Sequence, residues 1–391
     1  MSFGRMPIAN GFLTPSEFAN EYFFELKPAF CESCGTFQIV EQPKPELMFH
    51  ESYAFFTRTS KRMVDHFQQY SEWLRANYLD ATAPFVVEIG SNDGAMLENF
   101  NNWGIRHLGV EPSANVAAVA ERHGVSSLVG FFSKDTALKI ASQKEQADAI
   151  IAANVMCHIP DLNDVAEGVT SLLKPRGVFV FEEPYLGDMI EKTSYDQIYD
   201  EHVFIFSLRS VAAAFGPHGL DVIDVLPQTT HGGSMRYVLA RKGARPVTPA
   251  VAKLAEKEVT LGLGNMQTYL QFRDNCEKSR SALREQLARL RREGKRVVGY
   301  GATSKSTTVL NYCGIDTDFI EFISDTTPIK QGKFTPGMHV PVRPYTEFQA
   351  RYPDVAVLFA WNHREEIMVK EQPFIASGGR WLVYVPQVQL V

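Results

Sequence analysis

Four short strand-like runs recur between residues 85 and 181, with helical stretches between them: Phe85–Ile89, His107–Val110, Ala149–Ala153 and Gly177–Phe181. Strands that alternate with helices form a parallel sheet covered by helices on both faces. The alternation continues to about Ala240 and therefore predicts an α/β fold with a Rossmann-like sheet.

The flanking segments predict two further domains. Helical spacing covers residues 58–78, and a long charged helical stretch covers residues 250–293. A second alternating unit follows, with strands predicted at Arg296–Tyr300, Phe319–Ile323, Val355–Ala360 and Trp381–Val385. We therefore divide the chain into a small N-terminal domain (1–55), a central α/β domain (56–248), and a helical connector with a C-terminal Rossmann-like domain (249–391).

Composition excludes several classes of protein. The chain has 391 residues, 45% of them hydrophobic, and a formal net charge of −6, so no general attraction to nucleic acid or anionic membrane is expected. Its longest apolar run has seven residues, whereas a spanning helix needs about 20. The cysteines are five and sparse, and no signal-peptide pattern is present, which predicts a protein of the reducing cytoplasm. The oligomeric state stays open, with a monomer as a plausible state.

The first strand-like run ends in an acidic turn, Glu88-Ile89-Gly90-Ser91-Asn92-Asp93-Gly94. Ligands of parallel sheets bind at the carboxyl ends of the strands, and glycines let the backbone approach them closely. A dinucleotide site would have three glycines, and acidic groups here would repel a pyrophosphate. The turn instead favours a cofactor with a cationic amino acid end, such as S-adenosylmethionine.

Further cofactor candidates lie at the same edge of the predicted sheet. Glu111 follows Gly90 by 21 residues, where an acidic side chain binds ribose hydroxyls. Asn154 follows the third strand, and Phe131 or Phe132 could pack on an adenine ring. The alternative is a purely structural turn, with a solvated acid and core aromatics.

The catalytic candidates follow the third and fourth strands. His158 ends the run Asn154-Val155-Met156-Cys157-His158 and faces the predicted crevice. If residues 195–204 are helical, Tyr195, Tyr199 and His202 share one face. Either Asp200 or Glu201 could orient a neighbouring imidazole. Such a set suits proton abstraction beside a carbonyl, with histidine as base and phenols holding the enolate oxygen. A structural histidine and an amphipathic helix explain the same residues without catalysis.

Six motifs together resemble the nucleotide-sugar C-methyltransferase family, which modifies 4-keto-6-deoxy sugars. The resemblance covers nearly the whole chain, in order, and its motifs are Cys31–Gly35, Leu47–Tyr53, Glu88–Gly94, Tyr199–Phe204, His231–Arg236 and Gly299–Lys305.

The resemblance implies a zinc-binding N-terminal domain, a central domain that binds S-adenosylmethionine, and a nucleotide sugar between the central and C-terminal domains, with dTDP as the expected nucleotide. It implies that His202 is the base, with Tyr53, His158, Tyr199 and Glu201 as the other active-site residues. The base would remove the proton beside the ketone, and the resulting enolate carbon would attack the cationic methyl group in line.

The chain departs from the family in its cysteines. The family holds zinc with two cysteine pairs, and here only the second pair is present, Cys31 and Cys34, because the first would precede Met1. Structural zinc normally takes four protein ligands. An upstream start, loss of the metal, or a distant ligand would each explain the pair, so zinc binding stays open.

Two alternatives remain. One is an O- or N-methyltransferase that acts on another small molecule with the same scaffold. The other is a nucleotide-binding protein without catalysis, in which the second glycine turn, Gly299 to Ala302, holds NAD and Asp325 acts as its acidic partner.

Overall fold

The structure is a computed structural model that describes residues 1–48 and 56–391. Tyr53 lies outside the described residues. The N-terminal segment forms two small antiparallel sheets. Its strands are β1 (Arg5–Pro7), β2 (Phe23–Glu25), β3 (Pro28–Phe30) and β4 (Phe37–Ile39).

The central α/β unit contains, in chain order, α1 (Lys61–Tyr78), β5 (Phe85–Ile89), α2 (Leu97–Asn102), β6 (Arg106–Glu111), α3 (Ala114–Arg122), β7 (Ser127–Val129), α4 (Lys134–Gln143), β8 (Ala147–Ala153), α5 (Leu162–Leu172), β9 (Leu173–Pro184), α6 (Leu186–Lys192), β10 (Phe204–Ile205), α7 (Leu208–Phe215), β11 (Leu220–Gln228) and β12 (Ser234–Arg241). In the described residues, seven of these strands form one sheet in the order β11-β12-β9-β8-β5-β6-β7.

The central sheet is mixed. Strands β7, β6, β5, β8 and β9 run parallel, as the alternation predicts, whereas β12 is antiparallel to both β9 and β11. The short strand β10 belongs elsewhere, because it pairs with β4 of the N-terminal segment. The carboxyl ends of β5, β6 and β8 meet at one edge, and they place the residues that follow them beside one another.

The C-terminal unit contains α8 (Pro249–Thr260), α9 (Met266–Arg292), β13 (Val297–Tyr300), α10 (Ser304–Cys313), β14 (Ile323–Asp325), β15 (Val342–Pro344), α11 (Tyr345–Ala350), β16 (Val355–Leu358), α12 (Arg364–Lys370), α13 (Gln372–Ala376), β17 (Arg380–Val383) and β18 (Gln389–Leu390). Its sheet has the order β15-β14-β13-β16-β17-β18, with β18 as the one antiparallel strand among the described residues.

Two sequence predictions need correction here. The helical stretch 250–293 is two helices, because Gly262 has a φ of +67° and Asn265 caps the second helix. The strand predicted at Phe319–Ile323 begins only at Ile323. Within residues 1–48 and 56–391, no helix combines the length and the apolarity that a bilayer crossing requires.

Candidate active site

The central and C-terminal units enclose one cavity of about 330 Å³. The carboxyl ends of β5, β6 and β8 line one side, and the start of α10 lines the opposite side. Most of the cofactor candidates line it, as do four of the five catalytic candidates: Glu88, Gly90, Ser91, Asn92, Glu111, Phe131, Asn154, His158, Tyr199, Glu201 and His202. One ligand-sized space therefore connects the glycine turn with the histidines.

The glycine turn is shaped by its backbone. Gly90 has a φ of +65°, and its amide donates to the carbonyl of Val110 at 2.8 Å. A Cβ atom at this position would overlap a methyl carbon of Val155. Glycine is therefore required both by the left-handed conformation and by the close approach of the loop after β8.

Two buried carboxyl groups form the acidic wall of the cavity. Glu111 accepts from the amides of Asn92 at 2.9 Å and Ser113 at 2.8 Å, and burial raises its pKa. Burial also raises the pKa of Glu88 strongly, and the charge of Glu111 adds to this effect. Oε2 of Glu88 has no hydrogen-bond partner in the described part of the chain. A cationic ligand would compensate both groups.

Asp93 and Gly94 lie behind the cavity and do not line it. The carboxylate of Asp93 accepts from the amide of Arg58 at 2.9 Å. A Cβ atom on Gly94 would press on Ala120 and Val125, so this glycine allows close helix packing. Both residues therefore support the turn from beneath.

Two other cofactor candidates face the cavity directly. Phe131 is half-exposed, so its ring is accessible to a ligand, whereas Phe132 beside it is buried. Asn154 adopts a φ of +56°, and its Oδ1 atom has no partner among the described residues. Its amide nitrogen donates to the carbonyl of Glu182, which fixes the backbone just after β8.

His202 is held in one tautomer by two hydrogen bonds. Its Nδ1 atom lies 2.6 Å from the carbonyl oxygen of Gln197, which can only accept, so Nδ1 carries the proton. The lone pair of Nε2 then accepts from the phenol of Tyr199 at 2.7 Å. Burial lowers the pKa of His202 well below its usual value. The ring is therefore a neutral imidazole with its basic nitrogen on the Tyr199 side.

His158 stands beside His202. It ends a short 3-10 turn after β8, and the centres of the two imidazoles are 5.5 Å apart. The carboxylate of Glu183 holds this turn by accepting from the amides of Val155 and Met156, at 2.8 and 2.6 Å. Burial lowers the pKa of His158 to about 4.

Cys157, His158 and His202 form the one group of three metal-ligating side chains found among the described residues. The two imidazoles are stacked with planes 22° apart, which is unsuitable for sharing one ion. Burial also raises the pKa of the Cys157 thiol well above its usual value, whereas metals bind the thiolate. The donor set therefore does not fit a catalytic metal.

The condition that residues 195–204 are helical, on which the shared face of Tyr195, Tyr199 and His202 depends, is not met. Only Tyr195–Gln197 form a 3-10 turn, and the chain then runs irregularly to β10. Tyr195 is buried away from His202, with its hydroxyl 3.6 Å from the sulfur of Cys313. Glu201 lines the cavity and accepts from the Asn10 side chain at 2.7 Å, so the N-terminal segment supports this loop.

Sequence reasoning gave no role to three basic residues of the cavity wall, Lys305, Lys330 and His231. The sequence signal that could have identified Lys305 as a site residue is its position just after the glycine turn of the C-terminal unit. Asp325, the acidic partner in the NAD alternative, accepts from the amides of Ala302 and Thr327, both at 2.7 Å. One oxygen therefore already supports the glycine turn, and the other holds the loop that follows β14.

Cys31 and Cys34 form a tight turn in the N-terminal segment. The amide of Gly35 donates to the carbonyl of Cys31 at 2.8 Å, and the Cys34 thiol donates to the Thr36 hydroxyl at 3.1 Å. Among the described residues, no third cysteine, histidine or carboxylate joins the two thiols in a possible metal site. His50, the one nearby histidine in the sequence, lies outside the described residues.

Three protein families match successive parts of the chain. They are described as "Putative zinc binding domain" (residues 1–49), "Methyltransferase domain" (58–225) and "C-methyltransferase C-terminal domain" (229–386). The C-methyltransferase NovU of Streptomyces niveus is 34% identical over 393 aligned residues, which cover 100% of this chain and 93% of NovU.

Other similarities are partial. A ubiquinone biosynthesis O-methyltransferase of Rhodopseudomonas palustris is 26% identical over 95 residues, which cover 24% of this chain and 38% of that enzyme. Magnesium protoporphyrin IX methyltransferase of Synechocystis, solved with bound SAH, aligns with a TM-score of 0.36 and 13% identity, over 46% of this chain and 83% of that one.

Proposed function

The chain belongs to the S-adenosylmethionine-dependent C-methyltransferase family, and from that premise we propose that it methylates the carbon next to the ketone of a nucleotide-linked 4-keto-deoxy sugar. The observation that carries the proposal is the shared cavity, which joins the acidic wall at Glu88 and Glu111 to the Tyr199–His202 pair. One wall suits a cationic methyl donor, and the other offers a neutral base.

Carbon methylation needs such a base. A hydrogen beside a ketone is acidic enough for an imidazole to remove, and a positioned base contributes roughly 10²- to 10⁴-fold. In the proposed reaction, the C–H bond breaks and its proton passes to the Tyr199–His202 pair, so that Nε2 of His202 ends protonated. The enolate carbon then forms a bond to the methyl group as the sulfur–methyl bond breaks. S-adenosylmethionine supplies the activated methyl group.

The remaining site residues take supporting roles in this proposal. The Gln197 carbonyl keeps Nε2 unprotonated, because it fixes the proton on Nδ1. His158 and Glu201 face the substrate from the same cavity, and Asn154 and Phe131 face the cofactor. Asp93 and Gly94 act through the loop that they support.

We also propose the three domains 1–55, 56–248 and 249–391. The separate sheets of the central and C-terminal units support the boundary at 248, which falls between β12 and α8. All five cysteines are free, which supports a reducing, cytoplasmic location. A monomer completes the proposal.

The test is a panel of keto-sugar nucleotides incubated with the enzyme and methyl-labelled S-adenosylmethionine, followed by mass spectrometry. We expect one label per product on a 4-keto sugar nucleotide. An O- or N-methyltransferase would instead place the label on oxygen or nitrogen, as fragmentation of the product would show, and a non-catalytic protein would label none.

A further inference from the structure

The tautomer of His202 depends on one backbone carbonyl. The phenol of Tyr199 lies at Nε2, and a phenol can donate or accept, so this contact alone would satisfy either tautomer. The carbonyl of Gln197 lies at Nδ1, 2.6 Å away, and can only accept. The availability of Nε2 as a base therefore depends on what holds the Gln197 carbonyl in place.

Asp196 anchors the turn that contains Gln197. This 3-10 turn spans Tyr195–Gln197, and the Asp196 side chain within it is fully buried. Its Oδ2 atom accepts from Nε1 of Trp361 at 2.6 Å and from the hydroxyl of Tyr384 at 2.7 Å. Trp361 lies after β16 and Tyr384 directly after β17, so both donors belong to the C-terminal unit. Asp196 therefore ties the loop of His202 to a different unit of the chain.

The bonds to Asp196 are stronger than a neighbouring neutral bond. Burial raises the pKa of Asp196, but the charge of Lys305 and the two hydrogen bonds counteract this rise and favour the carboxylate. Bonds to an ionised acceptor are about twice as strong as bonds between neutral groups. Close by, the hydroxyl of Thr308 on α10 donates to the carbonyl of Ile198 at 2.9 Å, and this bond joins two neutral groups. Asp196 thus forms the stronger attachment of the loop to the C-terminal unit.

Trp361 also supports Gln197 from its other side. The side-chain amide of Gln197 donates to the carbonyl of His231. The next residue, Gly232, packs against the Trp361 ring so closely that a Cβ atom there would overlap a ring carbon. The same indole therefore contacts both the carboxylate beside Gln197 and the turn that holds the Gln197 side chain.

We propose that Asp196 is a positioning residue for methyl transfer, which holds the Gln197 carbonyl at Nδ1 of His202 through its bonds to Trp361 and Tyr384. The proposal rests on the proposed function, in which His202 is the base. Asp196 does not line the cavity, so it acts only through this loop. Without the two bonds, the carbonyl can withdraw, and His202 can carry its proton on Nε2 with the Tyr199 oxygen as acceptor. An imidazole in that tautomer has no free lone pair on the substrate side.

The experiment is nitrogen-15 NMR of the histidine-labelled enzyme, without substrate. Tyr384→Phe and Trp361→Phe each remove one donor to Asp196 and leave an aromatic ring, and the double variant removes both. The signals of His202 are identified by their loss in His202→Asn. We expect a protonated Nδ1 and an unprotonated Nε2 in the wild type. In the double variant the ratio of the two tautomers should shift by about tenfold or more, as the loss of bonds to a charged group implies.

Turnover should follow the tautomer. We expect kcat for methyl transfer to fall by about tenfold in the double variant, in step with the tautomer ratio. The affinity for S-adenosylmethionine, measured by calorimetry, should stay unchanged. The matched control is Tyr345→Phe, which removes a hydroxyl that donates to the buried carboxylate of Glu371, also at 2.7 Å and also in the C-terminal unit. This control should change neither the His202 signals nor kcat.

Unshifted His202 signals in the double variant would overturn the proposal, whatever its turnover. A wild type that already contains both tautomers would overturn it too. If the double variant no longer binds S-adenosylmethionine and hence has lost its fold, Tyr384→Phe decides, because it lacks only one hydroxyl. It should show a smaller shift in the same direction, and an unshifted spectrum would overturn the proposal. Since the spectra need no substrate, a failure to methylate any keto-sugar nucleotide would refute the proposed function separately from the anchoring of His202.

Discussion

The phenol of Tyr199 donates a 2.7 Å hydrogen bond to Nε2 of His202, while Nδ1 of the same ring is tied to the Gln197 carbonyl at 2.6 Å. The bond to Gln197 determines the direction of the bond to Tyr199. A carbonyl oxygen can only accept, so the proton is on Nδ1 and Nε2 is the basic nitrogen. The pair combines a base with a hydrogen-bond donor in one cavity, as the removal of a proton beside a ketone requires.

Replacing His202 with Asn should remove most of the turnover and leave cofactor affinity nearly unchanged. The imidazole is the proposed base, and general-base catalysis is worth roughly 10²- to 10⁴-fold. Steady-state methyl transfer measures the first effect, and calorimetry with S-adenosylmethionine measures the second. A loss below about tenfold would point to another base.

His158→Asn is the matched variant, since its ring lies 5.5 Å from that of His202. With substrate in deuterated water and no methyl donor, exchange of the hydrogen beside the ketone reports the base directly. We expect wild type and His158→Asn to exchange and His202→Asn not to. Exchange that persists in His202→Asn would contradict the assignment of His202 as the base. Exchange that is lost in His158→Asn but retained in His202→Asn and in the wild type would assign the base to His158 instead.

Glu88→Gln and Glu111→Gln should each weaken binding of S-adenosylmethionine by about ten- to a hundredfold. Both carboxylates line the acidic wall, and each would lose its attraction for the cationic cofactor or its hydrogen bond to ribose. The control is Glu121→Gln, an exposed residue on α3, which should titrate like the wild type. Unchanged titration curves for both Glu88→Gln and Glu111→Gln would show that S-adenosylmethionine does not bind at this turn.

The free energy of unfolding should fall as the pH drops from about 6.5 toward 4. Burial lowers the pKa of His158 to about 4, whereas an unfolded histidine titrates near 6.5, so the unfolded chain binds more protons in this window. The protonation of His158 accounts for at most about 3 kcal/mol of this fall. The actual value should be smaller, because the ring faces the cavity and is partly solvated. Denaturant unfolding of wild type and His158→Asn at several pH values checks this; an equally steep fall in the variant would assign the loss to other groups.

Elemental analysis of this chain should find less than one zinc per molecule. Two thiols, Cys31 and Cys34, leave a tetrahedral site two ligands short, and no third group joins them among the described residues. Elemental mass spectrometry on protein purified without chelator measures the ratio of zinc to protein. A stoichiometric zinc that is lost in Cys31→Ser would mean that ligands outside the described cluster complete the site.

The alternation of strands and helices predicts the parallel core of the central sheet because its signal is local. Strands β5, β6, β8 and β9 each contain the short apolar run that predicts them, although β9 is longer than its run. The direction of β12 has no local signal, since an antiparallel strand has the same apolar character as a parallel one. Its reversal depends on the turn at His231–Gly233.

The loop that carries His202 could not be predicted from periodicity. Its spacing favours a helix, but successive side chains bind different partners: Asp196 binds Trp361 and Tyr384, and Asp200 accepts from the amide of Ala9. These contacts come from the C-terminal unit and the N-terminal segment, so tertiary structure overrides the local preference. By contrast, the turn at Gly90 needs positive φ angles at Gly90 and Gly94, and the glycines that allow them are visible in the sequence.

The most direct test of the central claim is the position of the transferred methyl group. Wild-type enzyme, a 4-keto-6-deoxy sugar nucleotide and S-adenosylmethionine labelled with carbon-13 in the methyl group should give a product whose label is bonded to carbon, as carbon–carbon coupling in a doubly labelled sugar would show. His202→Asn should give almost none. A label on oxygen or nitrogen, or no transfer to any keto-sugar nucleotide, would contradict the account.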